Sequence, residues 1–99
     1  MTNDLKAEIG TLQTEQASKY MQQLLKHFAH KIEVEYDETD GKAALPTGPA
    51  ELKASPSELR VRITGADDEA LKTARHIIDS HLERFAFREN FTAMNWQAA

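Results

Sequence analysis

From Ile32 to Thr64 the chain keeps returning to a period of two. Ile32, Val34 and Tyr36 alternate with Glu33, Glu35 and Asp37, and Leu59, Val61 and Ile63 alternate with Arg60, Arg62 and Thr64. Neighbouring strand residues point to opposite faces, so each run builds one apolar face and one charged face. The sheet they imply is antiparallel and half exposed, and its apolar side needs a cover. That cover is written on either side of the alternating region. Ala17, Tyr20, Met21, Leu24, Leu25 and Phe28 recur at spacings of three and four, which predicts a helix from about 15 to 30. Leu71, Ala74, Ile78, Leu82 and Phe85 predict a second helix with a buried stripe of the same kind. The expected fold is α+β, a two-layer sandwich with both helices on one face of the sheet.

Local chemistry supplies the boundaries. Thr14 stands where a hydroxyl accepts from the free N–H groups of a first helical turn, and Asp67, followed by Asp68 and Glu69, is a strong N-cap for the second helix. Asp40-Gly41 supplies turn chemistry within Glu38 to Lys42, because glycine takes a positive φ without steric cost. The segment Ala43 to Ala54 is extended but interrupted by Pro46-Thr47-Gly48-Pro49. Read as one bent strand, it gives the order α-β-β-β-α, with the helices parallel and their C-terminal ends together. Read as a hairpin at Gly48, it gives four strands and antiparallel helices. The prolines favour the three-stranded meander. A single domain over residues 1–99 is expected, with residues 1–13 as a polar lead and 14–96 as the domain proper.

Composition narrows the chemistry. The 99 residues contain no cysteine, which removes disulfides, thiolate metal sites and cysteine nucleophiles. The formal net charge of -4 is spread along the chain, so no basic face suits nucleic acid. No apolar run approaches the about 18 residues of a membrane span. Residues 1–16 carry Asp4, Glu8 and Glu15 and resemble neither a signal nor a transit peptide, so a cytoplasmic location is expected.

The residues fit for chemistry cluster late in each helix. His27 and His30 lie in the last turn of the first. Ile77, His81, Arg84 and Arg88 follow one another at spacings of four, three and four along the second. If the helix ends meet, His27 and His81 approach each other beside Arg84 and Arg88, and a histidine with two arginines binds a carboxylate or phosphate. Neutral imidazoles at His27, His30 and His81 would instead hold a metal. A purely structural account is also open, since cationic side chains in a last turn complement the helix dipole. Glu89 falls on the apolar side of its helix and needs a partner, an arginine or the Trp96 indole N–H. Phe87 points away from the core stripe, and with Phe91 and Trp96 it marks either a folded-back tail or an interface, including that of a homodimer. The four glycines are too scattered for a phosphate loop, and no serine sits in a nucleophile elbow. Glu33, Glu35 and Asp37 share a solvated strand face. Arg60 and Arg62 stand on the outer face too, placed to pair with them or with Glu51.

Several of these segments resemble the bacterial domain-of-unknown-function 2218 family. The likeness rests on Tyr20-Met-Gln-Gln-Leu-Leu-Lys-His27-Phe-Ala-His30-Lys31, on the strand-and-glycine run through Gly48, on His81-Leu-Glu-Arg84-Phe85-Ala-Phe87-Arg88-Glu89, and on Trp96. The resemblance implies a small α+β fold and a connection to iron, because similar domains occur joined to siderophore-interacting flavin reductases. It therefore implies an accessory binding domain rather than an enzyme, for an anionic ligand of the ferric siderophore class. The reductase would be a partner, and the sequence itself requires no cofactor.

Overall fold

The computed structural model describes residues 5–89, 91 and 93–99, without the side chain of Arg88. Its elements run β1 (Lys6–Gln13), α1 (Ala17–Phe28), β2 (Val34–Tyr36), β3 (Asp40–Leu45), β4 (Gly48–Ala54), β5 (Glu58–Gly65), α2 (Asp68–Phe85), a 3-10 turn (Phe87–Glu89) and β6 (Asn95–Ala98). The six strands form one antiparallel sheet in the order β2-β3-β4-β5-β1-β6. The α+β class stands. The expected three- or four-stranded meander and the order α-β-β-β-α do not, because strands also precede the first helix and follow the second.

The added strands come from the two ends of the chain. Lys6–Gln13, within what reads as a polar lead, pairs along its whole length with β5 and, from Glu8 to Thr11, with β6. Its helix-facing residues are Lys6, Glu8, Gly10 and Leu12, which hardly announce a buried strand. Other elements provide the cover: the Trp96 ring lies over Gly10, and Arg75 of α2 reaches Glu8 at 2.6 Å. The tail folds back as expected, and it does so as β6. Phe91 and Met94 enter the core. The Asp79 carboxylate accepts the Met94 N–H at 3.0 Å and the Trp96 indole N–H at 2.9 Å. Burial pushes that carboxyl above its ordinary value, with the two donors opposing the shift.

Pro46-Thr47-Gly48-Pro49 makes a hairpin, not a bend within one strand. Leu45 pairs with Gly48 around the two-residue loop Pro46-Thr47. Gly48 has φ +150°, and a Cβ there would lie 2.7 Å from Thr64 Oγ1 and 2.8 Å from the Thr64 carbonyl oxygen. Pro49 lacks an N–H, yet its carbonyl accepts the Thr64 hydroxyl at 2.5 Å, so the strand pairs despite the proline. At the β2–β3 turn the Asp37 carboxylate, not a glycine, organises the chain by accepting the Thr39 and Asp40 N–H groups at 2.8 Å each.

Helix starts divide in the same way. Asp67 caps α2 through the Ala70 N–H at 2.8 Å. Thr14 does not cap α1, whose N-cap residue is Gln16 with no side-chain bond; the Thr14 hydroxyl accepts the Gln16 N–H at 3.0 Å and turns toward Glu89. Gly41, Ala43, Leu45, Ala50, Leu52, Leu59, Val61 and Ile63 are buried on one side of the sheet, under Met21, Leu24, Leu25, Leu71, Ala74, Ile78 and Leu82 of the helices. Each helix links two strands that run in the same direction. β1 and β5 are antiparallel, so the helices that follow them also run antiparallel.

A Cβ on Gly10 would meet three Trp96 ring atoms at 2.7, 2.7 and 2.9 Å. Gly10→Ala therefore loosens β6, with an expected loss of about 1–3 kcal/mol. Chemical denaturation measures that loss, and a red shift of the single tryptophan's emission reports the displaced ring.

Candidate functional site

The antiparallel helices bring together two sets of polar side chains along one seam. Toward the C-terminal end of α1, the His27 and His81 rings lie 5.0 Å apart, centroid to centroid. The His27 ring also meets Phe85 at 6.3 Å and His30 at 6.4 Å, while the His81 ring meets Phe28 edge-on at 5.2 Å. The expected approach of His27 and His81 is thus present, although the three-stranded, parallel-helix geometry is not. It arises because α1 lies antiparallel against the second half of the longer α2, so that its last turn meets the middle of that half.

The two imidazoles differ in surroundings. His81 is half-buried, and its Nδ1 lies 2.7 Å from the Ile77 carbonyl oxygen. A carbonyl only accepts, so Nδ1 carries the proton and Nε2 is left for a ligand or a second proton. His27 and Arg84 are exposed. The pKa of His27 is held below its ordinary value, first by loss of water against its neighbours and then by the positive charges of His81, Arg84, His30 and Lys31. The seam end is an aromatic ledge with a surplus of positive potential. Among the described residues, no group of three histidine or acidic side chains is arranged to hold a metal. The Arg88 side chain, expected in the same stripe, lies outside the described part of the structure.

Glu89 belongs to the other end of the seam. Its carboxylate accepts the Thr14 hydroxyl at 3.0 Å and a short hydrogen bond from the Tyr20 hydroxyl. Among the described residues neither an arginine nor Trp96 is its partner; the Trp96 indole is taken by Asp79. Tyr20 lies seven residues before His27, about 10 Å along α1, so Glu89 fastens the helix ends and stands apart from the imidazoles. The pKa of the Tyr20 phenol is pushed up to about 12, by the hydrogen bond to Glu89 first, then by burial and the carboxylate charge. Of the expected interface residues, Phe91 is in the core, Trp96 is half-buried, and Phe87 is 62% exposed. Spacing and composition do not mark Thr14 and Tyr20 as partners of Glu89. The one signal for it is that Tyr20 carries the single hydroxyl in the buried α1 stripe.

These features define a small α+β domain whose two antiparallel helices share a polar seam above a six-stranded sheet. The family model described as "Uncharacterized protein conserved in bacteria (DUF2218)" matches residues 9–97, and the chain belongs to that family. The match begins inside β1, five residues before the expected domain start. The chain is similar to the protein in the NMR structure of PA4090 from Pseudomonas aeruginosa, with 28% identity, a TM-score of 0.76, and coverage of 93% of this chain and 95% of that one. No curated protein matches the chain. No helix among the described residues is long and apolar enough to cross a membrane.

Three measurements check the electrostatics. Tyr20→Phe keeps the buried ring but removes a hydrogen bond to a charged group, and is expected to cost about 1.5–3 kcal/mol in denaturation. In Glu89→Gln the Tyr20 phenol should titrate closer to 10, as followed by tyrosinate absorbance. His27, whose pKa is lower folded than unfolded, binds fewer protons in the native state just below its ordinary value of 6.5. Stability therefore falls as pH drops through that value. His27→Gln should flatten this part of the stability profile.

Proposed function

We propose that the chain is a non-catalytic binding domain that takes an anionic small molecule at the His27–His81 end of the seam. The observation that carries this reading is the close imidazole pair set beside Arg84 and Lys31, with no carboxylate among the neighbours that shift the His27 pKa. An anion replaces mutual repulsion by attraction, and the Arg84 fork and a protonated His81 Nε2 both donate to it. The family resemblance suggests ferric siderophores or their products as the ligand class. Ferric iron then needs an electron donor, and a siderophore-interacting flavin reductase is the partner that fits. This reading places the domain in the cytoplasm.

Binding should take up protons, because a bound anion raises the affinity of the His27 imidazole for H⁺ and so opposes the lowering of its pKa. Titration of ferric citrate, citrate alone and phosphate into labelled protein, followed by NMR, tests the site. Resonances at His27, His81, Arg84 and Phe85 should move, the His27 midpoint should rise, and affinity should increase as pH falls. Arg84→Gln should weaken binding about tenfold, the worth of one charge-assisted hydrogen bond. Unmoved resonances at these residues with all three probes would sink the reading. Zn²⁺ titrated in a parallel sample separates out the metal alternative, which needs binding that disappears in His81→Ala.

A further inference from the structure

We propose that the face of the sheet opposite the helices is a self-association surface, on which a second copy of this chain docks about a two-fold axis running along the strands between β3 and β4. Strand register decides which charges stand side by side on that face. Across β2, β3, β4 and β5, one row reads Glu35, Lys42, Glu51, Arg62. The next row reads Asp37, Asp40, Lys53, Arg60, with Asp37 placed by its N–H bond of 2.9 Å to the Asp40 carbonyl. All eight residues are exposed.

Turning a second copy about that axis reverses each row. Glu35 then faces Arg62 of the other copy, and Lys42 faces Glu51. Asp37 faces Arg60, and Asp40 faces Lys53. Each of the four pairings is between opposite charges and occurs twice. In the following row Ala44 faces Pro49, and these small side chains let the sheets approach.

Pairing within one sheet does not account for this pattern. Alternation in the first row would suit cross-strand neighbours, but the second row reads two acids and then two bases, which leaves like charges adjacent. Such a row is complementary to its own reverse. Among the described residues, Glu35, Lys42, Glu51 and Arg62 form no ion pair within the chain. Lys53 and Arg60 form one long pair each, with Asp40 at 3.6 Å and Glu58 at 3.7 Å. An open depression lined in part by Lys42, Ala44, Pro49, Glu51, Arg62 and Thr64 borders these rows. At about 4.8 Å per strand the charged field is only about 15 Å wide. The dimer is therefore weak, and a salt concentration that shortens the screening length well below about 10 Å dissolves it.

Sedimentation equilibrium on the full chain tests this. In about 20 mM salt a reversible dimer is expected, and in about 0.5 M salt its dissociation constant should rise at least tenfold. Lys42→Glu alone and Glu51→Lys alone should each be monomeric, whereas an equimolar mixture of the two should associate again, because the introduced charges then face each other. Circular dichroism establishes that each variant is folded. Should either fail to fold, the pair Glu35→Arg and Arg62→Glu applies the same swap at the ends of the row. A chain that stays monomeric at millimolar concentration in low salt overturns the proposal. So does a dimer indifferent to salt and to both swaps, which would be held by another surface such as that around Phe87.

Discussion

The insertion of β1 between β5 and β6 governs the rest of the molecule. It places a strand from the start of the chain beside one that closes only after the second helix, and both helices become crossovers between strands of like direction. The antiparallel pairing of β1 with β5 then sets α1 and α2 running in opposite directions. From that one constraint follow the meeting of His27 with His81 and the meeting of Tyr20 with Glu89. Had the helices run parallel, the last turns would lie together and Glu89 would have no route to the hydroxyls near the start of α1.

What the sequence reveals depends on whether an element's burial is carried by its own residues. The α1 and α2 stripes and the runs at Val34 and Val61 are legible because each supplies its own apolar face. β1 is not legible, because its inner face is Lys6, Glu8, Gly10 and Leu12, and its cover is borrowed from Trp96 and Arg75. The Pro46–Pro49 segment misleads for a related reason: a threonine on the next strand bonds the proline's carbonyl, a tertiary contact that no local rule contains. The imidazole pair is legible in composition and spacing but not in cause. Its residues stand out from the helical stripe, whereas the direction of the helices depends on a strand that the alternation does not reveal.

The two sides of the sheet divide the electrostatics. On the helix side, three carboxylates are individually answered: Glu8 by Arg75, Asp79 by two N–H groups, Glu89 by two hydroxyls. The His27–His81 end departs from this, with cations gathered and no acid among the groups that shift the His27 pKa. The far side is arranged in rows, one alternating in sign and the next with acids toward β2 and bases toward β5, so that its organisation lies in the register and not in any single pair. A net charge of -4 describes neither arrangement.

The bond from Thr14 to Glu89 and the pairing of Glu8 with Ala98 join residues far apart in sequence. On the ribosome, where the chain emerges from its N-terminal end, β1 is made first yet must wait for β5 and then for β6. Until then its backbone groups are paired only with water and its edge is open to the wrong neighbour. The polar inner face of β1, a poor template for hydrophobic pairing, then protects the chain during the interval in which it has not yet closed.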